Sequence, residues 1–218
     1  MRQILPILEQ YLPQSRVAHS LRVAETARQL ALLQPCDSAT SKFLPEKAYT
    51  AGLLHDIAKA MSPQKLCDAG IAKHPWYAST YIRYPAVWHA FAGPCMSAQL
   101  LGPQEAEISR AIRYHTTGTG KMSHLDSILY IADYIEPGRP FVDRAVLADI
   151  FQNDVLPELS FGDKLGLAVA IIVTSGIIGL TKQQKAIHPL TLRCYNARST
   201  GMTGASRHYW KTHVARYY

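Results

Sequence analysis

Apolar residues recur along this chain at intervals of three and four, and runs that alternate apolar with polar are absent. That spacing is the mark of helices with one buried face, so the chain reads as helical nearly throughout, without internal repeats. "MRQILPILEQYL" is a short amphipathic helix whose apolar run is interrupted by Pro6 and Glu9. Arg16 to Leu33 carries Val17, Leu21, Ala24, Ala27, Leu30 and Ala31 at helical spacing. Pro45 to Ala60 is the next long helix, with Pro45 suited to its first turn. Ser62 is placed to cap a short helix that stops at Gly70. Ala86 to Leu101 follows, bent or broken near Gly93-Pro94. After Gly102-Pro103 a helix runs to about His115, and "TTGTGKM" is a loop. Ser123 caps "HLDSILYIADYIE", with Asp126 three residues on completing a capping box, and "PGRP" ends it. Two more helices cover about 143–151 and 162–182. Glycines and serines after Ser199 predict a frayed end. The expected organisation is one all-α domain, 1–198, followed by a flexible, basic and aromatic tail, 199–218.

The 218 residues, 48% of them hydrophobic, are enough for one domain with a sizeable core. The longest apolar stretch, Leu165 to Leu180, contains Thr174, Ser175 and glycines, and is read as a buried core helix and not a membrane span. Nothing at the N-terminus resembles an export signal. Cys36, Cys67, Cys95 and Cys194 form no CxxC pair, so reduced thiols in the cytoplasm are expected. The net charge of +7 is uneven: no Asp or Glu follows Asp163, whereas eight Lys or Arg do. A basic end suits a polyanionic ligand or nucleic acid, and equally a solvated surface.

The stretch "AGLLHDIAKA" sets His55 and Asp56 side by side in an apolar run. Desolvating both unpaired costs several kcal/mol, so they need partners, and a metal ion is one. His19 and His89 also sit inside helices, His115 ends one, and Asp133 lies in the apolar "LYIADYI". Separate helices each delivering one or two ligands to a bundle core is how dimetal carboxylate–histidine sites are built. Four nitrogens and two carboxylates without sulfur suit iron, manganese, cobalt or zinc, and two ions bridged by a carboxylate would use all six. Taken singly, a helical histidine is more often a satisfied core residue than a ligand. His74, His124, His188, His208 and His213 lie beside prolines, in loops or in the tail, and are read as non-ligands.

The order His19, His55-Asp56, Asp133 resembles the signature of the HD-domain metal-dependent phosphohydrolases. "RVAHSLRVAETARQLA", "AGLLHDIAKAMSPQKL", "HAFAGPCMSAQLLG", "EISRAIRYHTTGTGKMSHLDSILYIADYIEPGRPF" and "IHPLTLRCYNA" further resemble its YqeK branch, the symmetrical diadenosine tetraphosphate hydrolases, over Ile4 to Ala197. The resemblance implies an all-α HD-domain bundle with a dimetal site in its core, binding one or two ions, iron foremost. It implies His19, His55, Asp56 and Asp133 as ligands of the better-held metal, with His89 and His115 completing a second site or contacting phosphate when that site is empty. Asp56 and Lys59 are the implied catalytic residues. The implied substrate contacts are His19, Lys59, His89, His115, Thr116, Thr117, Gly118, Asp133 and Arg139, with His188, Pro189, Leu190 and Thr191 closing over the nucleoside. Two features depart from the family pattern. Arg193 stands where an acidic residue is usual, and the tail with Tyr209, Trp210, Tyr217 and Tyr218 runs past the usual end.

The implied reaction is symmetrical cleavage of diadenosine tetraphosphate into two ADP by metal-activated water, with Lys59 and Arg139 neutralising phosphate. The expected partner is thus a nucleotide, with no membrane and no obligate nucleic acid, and with a homodimer left open. Two alternatives stand beside it: another HD-type nucleotide phosphohydrolase, and a basic nucleic-acid-binding protein with a structural metal, its tail aromatics stacking on bases.

Overall fold

The computed structural model describes residues 4–35, 41–68, 80–139, 144–152 and 155–215. Cys36, His74, Asp143, Tyr217 and Tyr218 lie outside the described residues. Every regular element among the described residues is helical. Its elements are α1 (Ile4–Tyr11), α2 (Gln14–Leu32), a 3₁₀ turn (Ser41–Phe43), α3 (Leu44–Leu54), α4 (Pro63–Asp68), α5 (Trp88–Leu101) and α6 (Ala106–Tyr114). They continue as α7 (His124–Ile135), α8 (Arg144–Ile150), α9 (Phe161–Lys182), α10 (Pro189–Thr200) and α11 (Gly204–Tyr209), closed by a π-helical turn (Trp210–Val214).

Helix α7 is the central member. Leu125 to Ala132 are all buried, as in a helix surrounded on every side, and α2, α3, α6 and α9 pack against it. Its start is held by the expected capping box: Ser123 Oγ accepts from Asp126 N–H (3.1 Å), and Asp126 Oδ2 accepts from Ser123 N–H (2.7 Å). Asp126 is itself buried and is paired with Arg110 of α6. Helices α2 and α3 lie against one another along their length. Gly52 makes this contact possible, since a Cβ there would stand 2.8 Å from the Ala24 backbone nitrogen and closer still to its Cα. The two helices that carry His19 and His55 are thereby drawn together.

Two expectations are corrected. The helix predicted over Pro45 to Ala60 ends at Leu54. His55 Nδ1 takes the Gly52 carbonyl (2.7 Å) that a continuing helix would offer to Asp56 N–H, and 55–60 proceed by tighter turns such as Lys59 N–H to Asp56 O (2.8 Å). Near Gly93-Pro94, α5 continues unbroken, with Pro94 inside it. Helix α10 runs through Ser199 to Thr200, and α11 and the π-helical turn follow it within the described residues. Thr203 caps α11, and Tyr209 and Val214 are buried against the core. Tyr209 stacks on His213 at 4.6 Å and Trp210 packs against the core, so neither is displayed for base stacking.

Helix α9 is long and apolar enough to cross a membrane by length and composition alone. Its apolarity has a packing explanation over its first half, where Leu165 and Leu167 to Val173 are buried in the core. Among the described cysteines, Cys194 is buried and Cys67 and Cys95 are exposed.

Candidate metal centre

Five elements deliver the six predicted ligands to one place. His19 comes from α2, His55 and Asp56 from the end of α3, His89 from α5, His115 from the end of α6 and Asp133 from α7. All but the partly exposed Asp133 are buried. Three overlapping triads, His19–His55–Asp56, His55–His115–Asp133 and Asp56–His89–His115, have ligand atoms within 4.8 Å of one another.

Asp56 stands between two sets of groups. Its Oδ2 lies 3.7 Å from His55 Nε2, 3.9 Å from His19 Nε2 and 3.3 Å from an Arg16 nitrogen. Its Oδ1 lies 3.0 Å from His89 Nε2, 3.7 Å from His115 Nε2 and 3.7 Å from Lys59 Nζ. On the Oδ2 side, His19 Nε2 is 3.1 Å from Asp133 Oδ1.

The histidines are oriented by hydrogen bonds at their far nitrogens. His55 and His115 end their helices in the same way: each Nδ1 donates to the carbonyl three residues back, Gly52 and Ile112, both at 2.7 Å. His19 Nδ1 lies 3.2 Å from Glu136 Oε1. With Nδ1 carrying the proton, the form in which an imidazole binds a metal, Nε2 of His19, His55 and His115 would present a lone pair to the centre. His19 and His55 then face each other Nε2 to Nε2 at 3.3 Å, and His89 and His115 at 3.2 Å. Lone pairs so close repel, and a cation between them turns the repulsion into coordination. The donor set therefore fits a borderline divalent metal.

The electrostatics agree. Burial pushes the His55 and His89 imidazoles down to about 4, against the pull of nearby Asp56, so both are neutral at physiological pH. Burial alone would raise Asp56 and Asp133, but the histidines around them, with Lys59 or Arg139, hold both carboxyls well below the usual range. Burial lowers the Lys59 ammonium, with Asp56 and Asp133 opposing it.

The other predicted contacts divide. Lys59 Nζ reaches His89 Nε2 (3.1 Å), and Arg139 Nη2 donates to Asp133 Oδ1 (2.8 Å). A cavity of about 300 Å³ is lined by Tyr84, Val87, Thr116, Tyr130, His188 and Thr191 among others. Thr116 directly follows the predicted ligand His115, and its buried Oγ1 has no hydrogen-bond partner among the described residues. The His188 ring packs against Tyr84 and Phe91, with centroids 4.7 and 5.4 Å away, and burial lowers its pKa. Pro189 is exposed and starts α10, Leu190 packs on the core, and neither lines the cavity. Of the loop after His115, the Thr117 hydroxyl and the Gly118 amide are engaged internally, and the Thr116 hydroxyl is not. Thr117 Oγ1 donates to the Gly118 carbonyl (2.9 Å), and Gly118 N–H to Tyr114 O (2.8 Å). Gly118 has φ +62°, and a side chain there would meet Cys194, so its role is to turn the chain. Arg193 is exposed and is not among the cavity residues.

Sequence reasoning missed Arg16 and Glu136. Arg16 sits one turn before His19 and Glu136 one turn after Asp133, the spacing at which helical neighbours share a face. That spacing was their signal.

Comparison with known proteins gives the same assignment. The HD domain family model matches residues 16–138. The symmetrical bis(5′-nucleosyl)-tetraphosphatase of Bacillus subtilis is 30% identical over 194 residues, 89% of this chain and 95% of that protein. The protein of the same name from Staphylococcus aureus is 35% identical, over 87% of this chain and 90% of its own length. The crystal structure of a predicted HD superfamily hydrolase involved in NAD metabolism from Clostridium acetobutylicum superposes with a TM-score of 0.73 at 30% identity, covering 91% of this chain and 96% of that one. The chain belongs to the HD-domain family and, within it, to the symmetrical bis(5′-nucleosyl)-tetraphosphatases.

Proposed function

We propose that this protein hydrolyses diadenosine tetraphosphate symmetrically, releasing two molecules of ADP, and that Asp56 with His19, His55, His89, His115 and Asp133 would hold the metal the reaction needs. The observation that carries the reading is the Asp56 carboxylate, with one oxygen toward His19 and His55 and the other toward His89 and His115. Metal held by these residues would supply a nucleophilic water at neutral pH and draw charge from the phosphoryl group.

The chain's own residues do the rest. Lys59, Arg139 and Arg16 place three cations around the ligands, where an anionic tetraphosphate must lie. In the ligand-free arrangement each rests on Asp56 or Asp133; phosphate oxygens take over these donors. Thr116 Oγ1 donates to a phosphate or ribose oxygen at the cavity mouth. The cavity volume is at the lower end of the range for small-molecule pockets, about 300–1,000 Å³, and its apolar wall and aromatic rings suit one nucleoside. With one adenosine seated there, the distance to the metal ligands sets which phosphorus is attacked. Attack midway along the four-phosphate chain leaves ADP on both sides.

The donor set suits iron, manganese, cobalt and zinc alike, and iron in a cytoplasmic enzyme is part of the same reading. Early products of diadenosine tetraphosphate turnover test it. ADP alone is expected; equal AMP and ATP reject the symmetrical register and leave an HD phosphohydrolase of different specificity.

A further inference from the structure

We infer that Glu136 is a positioning residue that ties the His19 side of the metal centre to the loop carrying Arg139. The inference rests on the proposed metal-dependent hydrolysis and adds a residue outside the predicted ligand and substrate sets. Glu136 is 1% exposed. Its carboxylate is nevertheless fully engaged. Oε1 accepts from His19 Nδ1 (3.2 Å) and Arg22 Nη2 (3.3 Å), and Oε2 from Arg22 Nε (2.5 Å) and the Gly138 N–H (2.7 Å). Its backbone carbonyl accepts from the Arg139 N–H (3.0 Å).

These bonds act in two directions. Toward the metal centre, the carboxylate holds the proton on His19 Nδ1, which leaves Nε2 bare and makes it a stronger donor. Toward the substrate, the same carboxylate and the carbonyl beside it fold the chain back at the end of α7. Arg139 is thereby returned to Asp133, one turn earlier on that helix, at 2.8 Å. Arg22, whose side chain is 40% exposed, neutralises the buried carboxylate from outside. A buried carboxylate that served packing alone would not need both a metal-facing imidazole and a phosphate-facing loop as its partners.

Glu136→Gln keeps the shape and removes the charge. Release of Mn²⁺ from the loaded full-length protein to a chelator of known affinity should show metal held about 10- to 100-fold more weakly. The KM for diadenosine tetraphosphate, measured at saturating Mn²⁺, should rise, because the Arg139 loop is loosened independently of metal occupancy. Nitrogen NMR of the His19 ring should show the Nδ1-protonated form in the wild type and a mixture in the variant. Arg22→Met leaves Glu136 in place and should give a smaller loss of the same kind, which keeps the test open if Glu136→Gln fails to fold. Unchanged Mn²⁺ retention and His19 tautomer in a folded Glu136→Gln protein overturn the inference. An unchanged KM at saturating Mn²⁺ overturns the coupling to Arg139. If the wild type does not cleave diadenosine tetraphosphate, the proposed substrate falls, while Mn²⁺ release still reads the role of Glu136.

Discussion

His19 on α2 and Asp133 on α7 meet with 3.1 Å between Nε2 and Oδ1, and behind this contact Glu136 holds the opposite nitrogen of the same ring. One imidazole is thus clamped between a carboxylate on α7 and another just past the end of that helix. Its orientation survives only while α2 and α7 keep their packing, so the metal centre and the helix core depend on the same contacts.

Removing the shared carboxylate tests the centre most directly. Asp56→Ala should lose bound metal and fall to background hydrolysis while its far-UV circular dichroism stays helical. Wild-type turnover in that protein would remove the assignment.

The three cations should behave differently from the ligands. Lys59→Met, Arg139→Met and Arg16→Met each delete a charge-assisted bond to phosphate, worth about 1.5–3 kcal/mol, so kcat/KM should fall roughly 10- to 100-fold. Metal content by elemental analysis should stay near one wild-type equivalent. Loss of metal from a folded variant contradicts the division into ligands and phosphate contacts.

Gly52→Ala drives a methyl group into the Ala24 backbone, which a side-chain rotation cannot relieve. Overpacking of this kind costs about 1–3 kcal/mol, or roughly 2–12 °C in melting temperature for a chain of this size. Because α2 and α3 carry His19 and His55, metal retention should weaken with it. A melting curve and a chelator titration that both match the wild type mean the helices separate without strain.

Acid should destabilise the metal-depleted protein in a defined window. His55 and His89 are held at about 4 in the fold, against about 6.5 in the unfolded chain. Between those values the unfolded chain binds more protons, so stability rises with pH there. The melting temperature should be level above about pH 6.5 and fall as pH drops toward 4. Asp56 and Asp133, depressed further, extend the loss below that. A melting temperature that holds or rises on acidification through this window contradicts the buried, neutral histidines.

Truncation after Thr200 should spare the chemistry and cost stability. Every proposed ligand lies between His19 and Asp133, but Tyr209 and Val214 are buried. Burying such side chains contributes about 1.5–3 kcal/mol each, so a fall of roughly 6–24 °C in melting temperature is expected. Turnover per folded molecule at low temperature should match the full chain, and a large drop there means the C-terminal helix shapes the site.

Helical periodicity, the capping box at Ser123 and Asp126, and four histidines and two aspartates set in apolar helices were legible in the sequence, because each is a local pattern of residue types at fixed spacing. With the motif from "HTTG" to "EPGR", they were enough for the fold class and the family. Periodicity did not show that His55 would end its own helix by taking the Gly52 carbonyl, since a side-chain bond to the backbone competes with the helix only once the ring is held from its other side. The spent donors of Thr117 and Gly118, the buried Glu136 and the folding of the C-terminal residues onto the core were likewise decided in three dimensions. A glutamate after α7 and an arginine on α2 look like solvated charges until packing removes water from between them. Once Glu136 is buried, the cost of its charge requires partners, and only the tertiary arrangement could determine that they would be His19, Arg22 and Gly138.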